Sequence, residues 1–314
     1  AVHPGGTMNT YLWEVTNYCP LECGYCYTDS GPWRPNTDAK QLFKVAEAIV
    51  REKGRRVIIN GGEPTAAKGI IEIAEYLRAN DVSLTMCTSG WSLTGPRAER
   101  LGDLVDRFHV SIDAASAELN DRIRGKAGAH RNATRALKTL SRLRREKGHP
   151  SFGVDCTVVR DNLPYLREFC EFMATSFEGL SFINIAPAVP TGRGSKLPFC
   201  NTNLLSREQF DALLGQTQEL RKVVPVSVHL TVRDNEFLDA ENHVISLNPA
   251  GDVRLLNISP ASMGNLLDEP LATILKRGAT WKENSPLARG LKAAPDFVAL
   301  GDIVRRLDAE FASS

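Results

Sequence analysis

Between residues 10 and 189, short apolar segments alternate with longer segments of helical period, and this alternation limits the fold more than any other feature of the chain. The strand-like segments are "TYLWEVT" (10–16), "RVIIN" (56–60), "VSLTMCTSG" (82–90), "RFHVSID" (107–113), "FGVDCTVV" (152–159) and "LSFINIAPAV" (180–189). Between them, residues 38–54, 66–81, 95–105, 130–148 and 163–177 carry apolar side chains at helical spacing. Strand–helix–strand units with short loops build a parallel sheet with right-handed crossovers and neighbouring strands in chain order. After "PTGRG" (190–194) the pattern changes. A helix over 206–223 with Ser206 as its N-cap is followed by strands at 226–232, 243–249 and 252–258, and by helix from about 268. "NPAG" (248–251) supplies a hairpin turn between the last two strands. The expected organisation is an α/β body over 8–195 and a small C-terminal α/β extension over 196–314. The first seven residues, "AVHPGGT", read as an added leader outside the fold.

Three cysteines then narrow the chemistry. "TNYCPLECGYCYTD" (16–29) places Cys19, Cys23 and Cys26 in a C-x3-C-x2-C spacing just after the first strand. Structural zinc takes four ligands, commonly as two C-x2-C pairs, and no fourth Cys or His lies nearby. Unrelated buried thiols do not cluster this way. An iron–sulfur cluster held by three thiolates leaves one iron without a protein ligand, a position where something else binds. The seven cysteines follow no disulfide-scaffold spacing, which suits a reducing cytoplasm. A net charge of +1 and the lack of an eighteen-residue apolar run point away from nucleic acid and membrane partners.

The C-x3-C-x2-C loop, with aromatic Tyr25 before its last Cys, resembles that of the radical S-adenosylmethionine superfamily. Further motifs follow in the superfamily's order: "GGEP" (61–64), "TSG" (88–90), "SIDA" (111–114), "DRIRG" (121–125) and "PTGRG". The resemblance implies a partial (β/α)6 barrel, with its cluster loop at the C-terminal strand ends, the face that carries chemistry in full β/α barrels. It implies one [4Fe–4S] cluster on Cys19, Cys23 and Cys26, S-adenosylmethionine on the open iron, and an electron donor such as flavodoxin or ferredoxin. The cofactor then carries the hard chemistry, a 5′-deoxyadenosyl radical that takes hydrogen from carbon. By carry-over, Tyr25, Gly61, Gly62, Glu63, Pro64, Ser89, Ser111, Asp113 and Arg124 belong to the cofactor site. Glu63 is expected near the ammonium group, Ser111 and Arg124 near the ribose or carboxylate, and Gly61 and Gly62 where the backbone approaches the ligand.

Residues 248–275 resemble the SPASM or twitch extension of relatives, but without its cysteines. Leu256 stands where a Cys would follow the G-x-V strand, and no Cys occurs beyond Cys200. No auxiliary cluster is expected. The compact layout resembles the radical epimerases of neomycin-type aminoglycoside biosynthesis, which implies an aminosugar substrate and a protein thiol that returns hydrogen. Among Cys87, Cys156, Cys170 and Cys200, the donor expectation falls on Cys200, and Cys170 reads as core. Such a substrate calls for carboxylates. Glu14, Asp155, Asp234 and Glu236 are the candidates, with ion pairing to nearby Arg the alternative for the two strand acids. Alternative functions are a radical dehydrogenase, dehydratase or peptide modifier, and a cluster-binding protein without turnover.

Overall fold

The computed structural model describes residues 10–231, 244–294 and 297–312. Its first strands are β1 (Thr10–Thr16), β2 (Arg56–Gly61), β3 (Ser83–Thr88), β4 (Arg107–Ser111), β5 (Ser151–Val158) and β6 (Phe182–Pro187). Between and after them come α1 (Ala39–Arg51), α2 (Ile70–Ala79), α3 (Gly95–Leu104), α4 (Ala117–Arg124), α5 (Ala129–Lys147) and α6 (Leu166–Ser176). Strands β1 to β6 are parallel and lie side by side in chain order, as the alternation requires. The short α4 is the one α-helix of the body that the periodicity missed; it carries most of the "DRIRG" stretch.

The second part continues the same sheet. Short α7 (Phe199–Thr202) and α8 (Arg207–Val223) lead to β7 (Ser227–Leu230), which pairs in parallel with β6. Strand β8 (Val244–Leu247) pairs in parallel with β1 at the opposite edge, and β9 (Asp252–Arg254) and β10 (Ser262–Asn265) follow antiparallel. The result is one open ten-stranded sheet in the order β10-β9-β8-β1-β2-β3-β4-β5-β6-β7. The strand expected over 252–258 stops at Arg254, and β10 had no sequence signal. Helices α9 (Leu271–Asn284), α10 (Pro286–Ala293) and α11 (Phe297–Ala312) complete the chain.

Local signals explain most boundaries. Asp38 accepts hydrogen bonds from the backbone of Lys40 and Gln41 and starts α1; Ser206 and Gln209 form a reciprocal capping box on α8, as expected for Ser206. In the "NPAG" turn, Asn248 accepts from the backbone of Ala250 and Asp252, and Gly251 takes a φ of +94°. Alternation along each strand separates two faces. Tyr11, Trp13, Val57, Ile59, Leu84, Met86, Phe108, Phe152 and Ile183 are fully or almost fully buried in the core shared with the helices. The alternate residues, among them Asn60, Cys87, His109, Ser111, Asp155, Thr157 and Asn184, are polar and face the concave side.

Candidate functional site

The loop between β1 and α1 carries the three cysteines and is held from several sides. Backbone bonds join Cys19 to Gly31, Gly31 to Asn17, and Glu22 to the Arg124 carbonyl. The Arg193 amide in the "PTGRG" segment donates to the Cys26 carbonyl at 2.9 Å. Gly125, at a φ of +65°, ends α4 and sits so close to the Glu22 carbonyl that a Cβ would lie 2.6 Å from its oxygen. These contacts explain why "DRIRG" and "PTGRG" accompany the cysteines: both segments clamp the loop.

The "GGEP" segment docks onto the same loop. Gly62 donates to the Thr16 carbonyl at 2.6 Å, and Glu63 to the Tyr18 carbonyl at 2.8 Å. A Cβ on Gly62 would overlap the Tyr18 carbonyl oxygen, and Gly61 takes a φ of +127° against Thr16. The glycines therefore serve close approach to the chain's own backbone, while both also line the central cavity. Glu63 departs from its expected place. Its carboxylate is fully buried, does not line the cavity, and accepts from five donors. These are Thr65 (backbone at 3.0 Å, hydroxyl at 2.5 Å), the Thr88 hydroxyl at 2.6 Å, and the Ser89 backbone and hydroxyl. Glu63 thus ties the "GGEP" turn to the "TSG" turn and leaves no lone pair for an ammonium group. Pro64 opens the 3-10 turn that follows and is buried outside the cavity.

A third cluster joins the end of β4 to the cysteine loop. Asp113 and Arg124 form a buried ion pair at 2.7 Å. The Tyr25 hydroxyl donates to Asp113 at 2.6 Å, and the Thr157 amide does so at 2.9 Å. Burial raises the Tyr25 hydroxyl well above its ordinary range, so it stays a donor. Arg124 lies 4.0 Å from the Cys23 sulfur, lines the cavity, and spends its fork on Asp113.

All three parts open onto one cavity of about 320 Å³ at the C-terminal strand ends. Its wall includes the three cysteines, Tyr25, Gly61, Gly62, Ser89, Ser111, Arg124 and Asp155, which the sequence singled out together. Asn60, Thr157, Arg193 and Asn257 also line it and were missed. Strand alternation was the available signal for Asn60 and Thr157, and the "PTGRG" motif for Arg193, which sits in a 3-10 turn over Gly192–Ser195; Asn257 lies outside the strands and helices and carried neither signal.

Other expected residues lie elsewhere. Cys200 sits in α7 outside the cavity wall, packed on the small apolar cluster under the cysteine loop with its thiol 3.6 Å from the Asn201 side chain. Leu256 is buried in the core, and its neighbours Asn257 and Ile258 face the cavity instead. Glu14 is buried and bound at 2.7 Å by Arg254 of β9, so the ion-pair alternative holds for it. Burial raises the Glu14 carboxyl while Arg254 opposes that shift. Asp155 faces the cavity and pairs with His109 at 3.0 Å rather than with an Arg. Asp234 and Glu236 lie outside the described residues. Cys170 is fully buried in the core, as expected.

The family model of the Radical SAM superfamily matches residues 13–172, half of this chain. The chain belongs to the Radical SAM superfamily. Its partial barrel agrees with the native anSMEcpe complex with AdoMet and Cp18Cys peptide, at a TM-score of 0.67, 15% identity, and coverage of 97% of this chain and 96% of that one. An AdoMet-dependent heme synthase of Oleidesulfovibrio alaskensis is 31% identical over 69% of this chain and 54% of its own length. The mycofactocin maturase MftC of Mycolicibacterium smegmatis is 33% identical over 58% of this chain and 45% of its own. The chain therefore spans about half the length of these curated relatives. No helix among the described residues is long and apolar enough to cross a membrane.

Radical SAM proteins use a [4Fe–4S] cluster and S-adenosylmethionine, and the residues present fit both. The three thiols share one cavity wall and none is in a disulfide. Burial pushes the Cys19 and Cys23 thiols up, so their thiolates need the positive charge that iron brings. Asn60 lines the cavity beside Gly61 with its buried side-chain oxygen unpartnered, an acceptor available to an ammonium group.

Proposed function

We propose that this chain is a radical enzyme that takes a hydrogen atom from a carbon of a carboxylate-bearing substrate, such as a peptide or a tetrapyrrole. The observation that carries the reading is the convergence of the C-x3-C-x2-C loop, the "GGEP" turn and the "TSG" turn on one cavity. When bound, such a cluster would supply the one-electron reduction that radical chemistry with S-adenosylmethionine requires. Cys19, Cys23 and Cys26 hold the cluster in this reading. Asn60, Gly61 and Gly62 receive the amino-acid end of the cofactor, Ser89 and Ser111 line its path, and Glu63 holds the two turns in place. Arg124 sets the position of the loop through Asp113 and Tyr25. Residues 8–195 carry this chemistry, and residues 196–314 form an extension that adds Thr231, Asn257 and Ile258 to the wall. A low-potential electron carrier of the flavodoxin or ferredoxin type completes the system.

The substrate class rests on the charges of the wall and on the relatives. Arg193 is 12% exposed, donates to the Ser30 carbonyl at 2.6 Å, lies over the Trp33 ring and holds its Nε 3.8 Å from the Asp29 carboxylate. With five donors on its guanidinium, it suits a substrate carboxylate that shares it with Asp29. An aminosugar would need several carboxylates, and the described wall offers Asp155, already paired with His109. Epimerisation of an aminosugar is therefore not the reading adopted, and neither Cys200 nor Leu256 reaches the wall to support it.

The test is anaerobic reconstitution followed by reduction in the presence of S-adenosylmethionine. About four irons per chain are expected, against about eight if an auxiliary cluster exists. 5′-Deoxyadenosine should form, and should not form in the C19A/C23A/C26A chain. Peptides, tetrapyrroles and aminoglycosides are then compared for acceleration of cofactor cleavage. A loaded cluster that never cleaves the cofactor would overturn the enzyme reading; acceleration by aminoglycosides alone would restore the epimerase.

A further inference from the structure

The concave face carries a second set of ligand-type side chains, built by strands rather than by the cysteine loop. Cys87 of β3 and His109 of β4 stand opposite each other in register. Asp155 of β5 lies two residues beyond Gly153, the partner of His109, and Asn184 of β6 pairs with Asp155. The alternation of four neighbouring strands thus brings these side chains to one patch. A sulfur, an imidazole nitrogen and a carboxylate oxygen all lie within 4.8 Å of one another, the one such group of three among the described residues.

We propose that Cys87, His109 and Asp155 bind a divalent transition-metal ion of the zinc type, separate from the iron–sulfur site. The ligand chemistry suits it. Thiolate and imidazole favour zinc over calcium or magnesium, and three protein ligands leave an open position. Cys87 and Asp155 line the cavity, so that position faces the space where substrate would enter. Charge balances as well: one thiolate and one carboxylate neutralise a divalent cation, and the Cys87 proton leaves to solvent on binding. Without a cation the thiol has little reason to ionise, because burial, with Asp155 second, pushes it up. The outer support is present too. Asn184 donates to Asp155 Oδ1 at 2.9 Å, and the His109 ring packs against Phe182 with centroids 4.6 Å apart. Oδ1 also holds His109 Nδ1 at 3.0 Å, the separation into which a metal ion would insert. All the ligands sit on sheet strands, which hold geometry better than loops.

The experiment titrates cluster-loaded protein anaerobically with Zn²⁺ and, in parallel, with Co²⁺. After gel filtration, zinc and iron are counted per chain. One zinc per chain is expected beside an unchanged iron content, and bound cobalt should show thiolate-to-metal charge transfer. C87S and D155N should each weaken binding at least ~10-fold, and Asn184→Ala by ~10–100-fold, with iron content and melting temperature retained. The C19A/C23A/C26A chain should keep the cobalt spectrum, because it lacks the loop thiols but not the strand site. That arm makes the result independent of whether the cluster assembles or turns over. No zinc uptake, uptake that C87S and D155N leave unaltered, or a cobalt spectrum lost in the triple variant would each overturn the proposal.

Discussion

Arg124 and Asp113 form a buried ion pair at 2.7 Å that joins the end of α4 to the end of β4, directly beside the cysteine loop. Asp113 is fully buried, and the Tyr25 ring of that loop lies 5.7 Å from the guanidinium while its hydroxyl donates to the same carboxylate. Removing one partner strands the other as a buried charge, which costs about 3–5 kcal/mol. Arg124→Ala and Asp113→Ala should each lower stability by that order in urea unfolding. The double variant should lose markedly less than the sum, since the second change removes the stranded charge. Full additivity would show that the pair is not coupled.

Glu63→Gln tests the link between the two turns. Five donors face the carboxylate, and an amide presents one acceptor oxygen and one donor nitrogen. Its NH2 must face either the Thr65–Thr88 side or the Ser89 side, leaving donors unpaired at a cost of about 1–3 kcal/mol. Calorimetry should show a lower melting temperature. S-adenosylmethionine affinity should fall with it, because Ser89 shares the cavity wall with Gly61 and Gly62. An unchanged melting temperature would mean that the network does not bear on the turns.

Gly62→Ala should damage the site more than the fold. The added methyl would overlap the Tyr18 carbonyl, part of the backbone that carries the cysteine loop. Overpacking of this kind costs about 1–3 kcal/mol. The strain falls between the "GGEP" turn and the loop. Iron retention after reconstitution and equilibrium dialysis of S-adenosylmethionine should therefore both decline, while circular dichroism stays unchanged. The control is Gly215→Ala on α8, where a Cβ meets nothing within 4 Å.

His130 gives a pH dependence. Burial lowers its imidazole below the ordinary value of 6.5, against the opposing effects of a hydrogen bond to the Ala115 backbone and the Asp121 charge. A lowered folded-state value means that the unfolded chain takes up a proton the native state resists. Stability from this group is complete above pH 6.5 and is lost as pH falls from 6.5 towards the lowered value. In urea titrations between pH 7.5 and 5.5, His130→Gln should lose less stability than the parent chain. Equal losses would refute the assignment.

Much of the site was legible because each motif sits in a contiguous stretch at the end of a strand. The three cysteines, Gly61, Gly62, Ser89, Ser111 and Arg124 could be read one strand at a time, and the parallel sheet gathers strand ends in chain order. Glu63 was recognised but given the wrong neighbours, since its partners Thr88 and Ser89 lie 25 and 26 residues away. Cys200 and Leu256 were chosen by position in a pattern, and packing turned both away from the cavity.

By itself the sequence determined the alternation of strands and helices, their parallel order, the cluster-type cysteine spacing and the absence of cysteines after Cys200. Those properties are local or counted along the chain. Only the tertiary structure decided that Glu14 is neutralised by Arg254, 240 residues away, and that β8 of the extension joins the body's sheet beside β1. It also decided that Cys87, His109 and Asp155 meet. The physical reason is common to all three. Pairing across a sheet depends on register and on which face a strand turns inward, and neither is encoded in any one segment.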